Sequence, residues 1–322
     1  MNFRTEITPR RPDFSISHED RLLFVGSCFS DAVSVRLRRQ GFRLAANPFG
    51  VLYNPASVCE NLETLAAERV FVADDLERRG DICFSHAFHG SFADSDPERA
   101  LERMNGAVRR GALALREATC VALTFGSARV YERDGRTVAN CHKMPASLFT
   151  RRMLSVGEIV ALCEPLFDGA LRGKKIIMTV SPVRYLQEGA EDASLDKATL
   201  RVAVAEVVRR HSEVACYFPS LELVQDDLRD YRFYREDMIH PTEQAADYVC
   251  EKFAGTFFTP QTLELADRIA AIYRAAEHRP LHPESEAFRR FCQNLHKEAV
   301  DLQRSCPSAD LEGPIAFFAR NS

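Results

Sequence analysis

A chain of 322 residues, 46% hydrophobic and 27% charged, has material for one large core plus an appendage, and its net charge of -4 leaves no basic footprint for nucleic acid. Met1 to Asp20 is polar and rich in Arg and Pro, and no apolar run approaches the roughly 20 residues that cross a bilayer, so the expectation is a cytoplasmic chain with no membrane span. The 10 cysteines include no C-x-x-C pair, which argues against zinc or disulfide scaffolds and for reduced, mostly buried thiols, Cys59, Cys163, Cys216 and Cys250 among them.

In chain order, Leu22 to Val25 reads as a first buried strand, Asp31 to Arg39 as an amphipathic helix closed by Gly41, and Asn47 to Pro55 as a packed loop dense in turn-formers. A helix is expected from about Ala56 to Arg69. Asp81 to His89 alternates as a strand or hairpin does, and Pro97 to Glu117 is helical with Asp96 as its cap. Cys120 to Phe125 is an apolar strand, and Val130 to Ala139 is a hairpin about Asp134-Gly135. Ser155 to Leu171 is helical and Lys175 to Val180 is a strand. Ser194 to His211 is a long helix, Ala215 to Phe218 a strand, Leu221 to Leu228 helix-like, and Thr242 to Phe257 a helix. Apolar strands alternating with helices predict a three-layer α/β/α fold on a mostly parallel sheet.

Beyond Pro260 strand signals stop. The division expected is an α/β domain over 1–259 and a helical extension over 260–322, with helices at Thr262 to Glu277 and Glu284 to Arg304 and a loosely held tail from Pro307. The extension reads as an appendage, a lid, or an arm for a homo-oligomer, since its apolar faces need cover.

Two segments carry chemistry. Gly26-Ser27-Cys28 follows the first strand and opens a helix, which lifts a nucleophile into the crevice at the carboxyl end of a parallel sheet. Asp237-Met238-Ile239-His240 has the i, i+3 spacing of an acid that orients a histidine general base. The bland alternatives are a helix cap at Ser27 or Ser30 and another at Asp237. His142, with Asn140 and Lys143, sits on the hairpin excursion and joins His86, His89 and Arg184 as candidates to line the crevice. No metal site is expected, because the histidine segment reads as extended and lacks an acidic third ligand. No phosphate loop or dinucleotide fingerprint occurs, and the short arginine runs read as solvated helix faces.

Over roughly residues 20 to 258 the chain resembles the GSCFA family of the SGNH, or GDSL, hydrolase superfamily. The resemblance rests on Gly26-Ser27-Cys28-Phe29-Ser30, Asn47-Pro48-Phe49-Gly50 with Tyr53-Asn54-Pro55, and Val138 to Lys143. It continues through Ser181-Pro182-Val183-Arg184, Asp230 to Tyr234 and Asp237 to Pro241, with Ser30 where the family's name has alanine. It implies a flavodoxin-like sheet and a nucleophile at the third position of the first block, which is Cys28, with Ser27 kept as the alternative. It also implies a base pair Asp237/His240 and an oxyanion hole that uses Gly50 and an asparagine. Gly126-Ser127-Ala128 lacks the expected asparagine, which leaves Asn47 and Asn140 as candidates.

The function implied is an acyl-ester hydrolase or O-acyltransferase acting on a small-molecule, glycan or glycoconjugate substrate. It needs no cofactor, with acyl-coenzyme A as one candidate donor. The competing reading is a non-catalytic carbohydrate- or partner-binding module that keeps the same shell.

Overall fold

A computed structural model describes residues 4–322. Its centre is a five-stranded sheet of β1 (Leu22–Gly26), β2 (Leu44–Ala46), β5 (Cys120–Phe125), β9 (Lys175–Val180) and β10 (Ala215–Tyr217). The order is β10-β9-β5-β1-β2, and every neighbouring pair is parallel. Counted along the chain this is the 2-1-3-4-5 winding of a flavodoxin-like sheet, whose switch point, where connections diverge to opposite faces, lies between β1 and β5. The first residues past those two strands therefore face a ready-made crevice.

Strand alternation divides the core. Leu23 and Val25 of β1, Val121, Leu123 and Phe125 of β5, and Ile176, Met178 and Val180 of β9 pack on one face. There they meet α2 (Pro55–Ala66), α3 (Pro97–Glu117), α4 (Val156–Asp168) and α5 (Ala190–Arg210). The opposite face buries Leu22, Phe24, Cys120, Ala122 and Ile177 beneath α1 (Cys28–Arg39) and α7 (Glu243–Phe257). Both faces are covered, as purely apolar parallel strands require. The fold is three-layer α/β/α.

Caps set the helix ends. Asp96 accepts from Glu98 N–H before Pro97, Ser155 and Glu158 form a capping box, and Thr242 caps α7. Helix α5 begins at Ala190, one turn before the expected Ser194. The helix-like stretch after β10 is a single turn, α6 (Ser220–Glu222), that widens into a π-turn over Leu223–Leu228 and ends at left-handed Arg229.

A short hairpin, β3 (Glu77–Arg79) with β4 (Ile82–Phe84), precedes α3. The excursion after β5 pairs β6 (Arg129–Arg133) with β7 (Arg136–Val138) around Asp134-Gly135, where both residues have positive φ. A third strand, β8 (Thr150–Met153), joins β6 from the other side. Its sequence Thr-Arg-Arg-Met has no apolar alternation, so pattern reading passes over it.

Two expectations for the C-terminal segment are corrected. The tail from Pro307 is not loose: α10 (Glu312–Arg320) packs with α8 (Pro260–Glu277) and α9 (Glu286–Ser305) in a third apolar cluster, where Leu311 and Phe318 are fully buried. Nor are these helices a lid. They dock on the far end of α1, where Asp310 N–H donates to Gly41 O at 2.8 Å, Ile269 packs against Gly41, and Arg39 pairs with Glu277 at 2.9 Å. At 1.5 Å per residue that end lies about 17 Å along the helix from Cys28. Among the described residues no helix is long and apolar enough to cross a membrane.

Candidate active site

The turn after β1 is built by a glycine that nothing else can replace. Gly26 has φ +141, and a β-carbon there would come 2.1 Å from Thr124 O. This close approach lets Ser27 N–H donate to Thr124 O at 3.1 Å, so the chain enters α1 directly against the end of β5. Ser27 is fully buried and its Oγ accepts from Phe29 N–H as the helix cap. Cys28, the first residue of α1, is half-buried, and its N–H belongs to the orphan donors of a helix N-terminus. Of the two candidate nucleophiles, only Cys28 lines the cleft.

That cleft has a volume of about 330 Å³ and is walled by Cys28, Asp31, Val183, Arg235, His240 and Pro241, among others. His240 faces it from the loop before α7. Its Nδ1 lies 2.7 Å from Asp237 Oδ2, while the backbone N–H groups of Ile239 and His240 donate to Asp237 Oδ1 at 2.9 and 3.0 Å. The backbone N–H of His240, then its ring, then the N–H of Ile239 hold the Asp237 carboxyl down to about 2. An ionised Asp237 fixes a proton on Nδ1 and leaves Nε2 as the basic nitrogen. Met238 makes the loop turn at φ +56. No hydrogen bond joins Cys28 to His240 among the described contacts. Both line the same cleft.

Asp31 and Arg235 were missing from the sequence-based site and stand in the cleft. Burial, then the Asp31 carboxylate, pushes the Cys28 thiol above its ordinary value, against the pull of its own N–H, Arg235 and Lys197. A helix N-terminus by itself favours the thiolate. Burial beside an acid outweighs that dipole. Asp31 is itself raised by burial, with the hydrogen bond from Asn47 opposing.

The remaining candidates divide. Asn47, with left-handed φ 44, accepts from Gly26 N–H at 2.8 Å and donates to Asp31 Oδ1 at 2.8 Å, so its amide clamps the turn to the acid. Gly50 N–H donates to Asn47 O at 2.8 Å inside the loop turn, and a β-carbon on Gly50 would strike His89. His89 Nδ1 caps the turn at Ser91. Asn140 Oδ1 accepts from His142 N–H at 2.8 Å, and its carbonyl oxygen lies 2.6 Å from His86 Nδ1. His142 stacks on Phe84 with ring centroids 4.2 Å apart, its Nε2 2.9 Å from Ser85 O; burial lowers it to about 4, so the ring is neutral. None of these six residues is in the cleft wall. The excursion they build is packed structure, and Asn47 and Gly50 have their polar groups engaged away from an oxyanion.

Arg184 also lies outside that wall but borders it. Its N–H donates to Ile239 O at 3.0 Å and its guanidinium reaches Met238 O at 3.4 Å, so it braces the loop that carries the histidine. Behind Cys28, buried Lys197 donates to Gly126 O and Ser181 O, which ties the ends of β5 and β9 together. Burial lowers its ammonium to about 7. Among the described residues no group of three or more His, Cys, Asp or Glu side chains is placed to hold a metal ion.

Residues 21–253 match the GSCFA family, and residues 269–321 match the C-terminal domain of GSCFA domain proteins. The chain therefore belongs to the GSCFA family. No curated protein matches it.

Proposed function

We propose that this GSCFA protein is an SGNH-type acyl hydrolase or O-acyltransferase with Cys28 as nucleophile, His240 as general base and Asp237 as its orienting acid. One observation carries the reading. A thiol at the switch point of the sheet shares its cleft with a histidine whose Nδ1 is held by a carboxylate, so the remaining nitrogen is the basic one.

In this scheme Cys28 Sγ attacks an acyl carbonyl as its proton passes to His240 Nε2. The carbonyl oxygen takes up the electron pair, then returns it as the C–O bond breaks, and His240 protonates the departing alkoxide. The resulting thioester is opened by water or by another hydroxyl, deprotonated by the same histidine. The N–H of Cys28 is the first donor to the oxyanion. A thioester donor such as acyl-coenzyme A fits the same sequence, with a thiol leaving in place of the alcohol.

A second reading, a carbohydrate- or partner-binding module that keeps the shell, is favoured by one feature: the amides of Asn47 and Gly50 are engaged elsewhere. Turnover of acyl-ester and acyl-coenzyme A panels by wild type, Cys28→Ala and His240→Ala separates the two. The enzyme reading expects turnover that both substitutions abolish. Turnover equal in all three proteins would remove Cys28 and His240 from the chemistry, and none on either panel would favour the binding module.

A further inference from the structure

Beside the cleft lies a second cavity of about 620 Å³, between the first half of α5 and the 221–234 segment. Its size is that of small-molecule sites, about 300–1,000 Å³. Four cations reach its wall, Arg184, Lys197, Arg201 and Arg229, against two carboxylates, Asp226 and Asp230. Lys197 is engaged with carbonyl oxygens and Arg201 pairs with Glu222 at 2.9 Å. Asp230 faces Arg232 at 3.8 Å. Neither Arg184 nor Arg229 is ion-paired among the described residues. Arg184 instead lies over the rings of Tyr231 and Tyr234, 5.5 and 5.4 Å from their centroids.

Tyr185 connects this cavity to the reacting end of the sheet. Its ring lines the cavity, while its hydroxyl is buried without a hydrogen-bond partner, and a β-carbon at Gly126 would stand 2.9 Å from that oxygen. Cationic forks over tyrosine faces define the chemistry of an occupant: an anion for the guanidinium groups and a ring with apolar C–H faces for the aromatic walls.

We propose that this cavity is the sugar subsite of the cleft and takes an anionic pyranoside, bearing a carboxylate or a phosphate, with Arg184 and Arg229 on the charge and Tyr231 and Tyr234 against the ring. Arg184 is hydrogen-bonded to the residues just before His240, so a sugar held there lies along the loop that carries the base. The assignment deepens the acyl-transfer reading and rests on it for the reaction served, though not for the binding.

The test is calorimetric titration of the full-length Cys28→Ala protein with a galacturonic acid trisaccharide, glucose 6-phosphate, neutral maltotriose and desulfo-coenzyme A. The acidic trisaccharide or the sugar phosphate binds at least about 10-fold more tightly than maltotriose, and whichever does so identifies the anion. Adding Arg229→Gln lowers that affinity by about 10-fold, with unchanged circular dichroism. Equal binding of acidic and neutral sugars, no sugar binding at about 10 mM, indifference to Arg229→Gln, or binding of desulfo-coenzyme A alone would overturn the proposal. Charged-sugar binding without acyl turnover in wild type would sink the acyl reading and leave the subsite standing. Cys28-dependent turnover without sugar preference would do the reverse.

Discussion

Asn47→Ala separates a residue that positions the turn carrying Cys28 from one that donates to an oxyanion. Asn47 Oδ1 is the acceptor for the buried Gly26 N–H, and its amide nitrogen holds Asp31. Truncation leaves that N–H orphaned, which costs about 1–3 kcal/mol. The residue also sits at φ 44, where alanine costs about 1–2 kcal/mol and asparagine is tolerated. Together the expected loss is about 2–5 kcal/mol, a large part of the 5–15 kcal/mol typical of folded domains. Urea unfolding followed by circular dichroism, with a slope of about 3 kcal/mol/M, would show a midpoint lower by about 0.7–1.7 M. An oxyanion donor behaves otherwise: its removal commonly costs about 100- to 1,000-fold in turnover. A variant stable to within about 0.5 kcal/mol of wild type but slowed at least 100-fold would refute the clamp and return Asn47 to the oxyanion hole.

Asp31→Asn removes the acid that helps to hold the Cys28 thiol neutral, so iodoacetamide labelling of Cys28 at pH 7 speeds up; an unchanged rate would show that burial alone raises the thiol. His142, lowered to about 4 in the fold, binds its proton more readily unfolded, so stability falls as pH drops from about 6.5 toward 4. The shift corresponds to at most about 3 kcal/mol, and His142→Asn should flatten that part of the stability–pH curve. We also propose that residues 260–322 form a helical extension separable from the α/β core. Truncation after Thr259 should keep the mixed α/β circular dichroism while lowering the melting temperature, and complete unfolding would show that the core depends on Gly41 and its C-terminal neighbours.

The layered fold was legible wherever burial is two-sided. Cys120 to Phe125 and Lys175 to Val180 are apolar without interruption, and Asp96-Pro97 announces its helix by cap chemistry; all three elements have the expected bounds. What was missed depends on partners distant in sequence. Thr150–Met153 becomes a strand because β6 presents an open edge, and the last residues become a helix because α8 and α9 offer Leu311 and Phe318 an apolar seat. The site divides in the same way. Asp237 and His240 are three residues apart and make their bond locally, so spacing reveals them. Asp31 reads from sequence as an ordinary acid in the first turn of a helix. Its place in the cleft follows from the β2 loop bringing Asn47 across to it, a contact that no local pattern records.

The raised thiol also narrows the chemistry. A preformed thiolate needs nearby positive charge, and Cys28 has Arg235 and Lys197 within electrostatic range, yet burial and the Asp31 carboxylate prevail. The resting thiol is then neutral, and in the proposed mechanism its attack coincides with proton transfer to His240, as it does for a serine. Such a thiol also resists oxidation better than a standing thiolate, since oxidation follows thiolate character and exposure. Asn47 places Asp31 and the Gly26 turn in one hydrogen-bonded unit, so the group that keeps the thiol neutral also fixes where it sits. Substituting Asp31 should therefore change thiol reactivity and turn geometry together, whereas substituting His240 should leave resting labelling of Cys28 nearly unchanged and abolish acyl turnover.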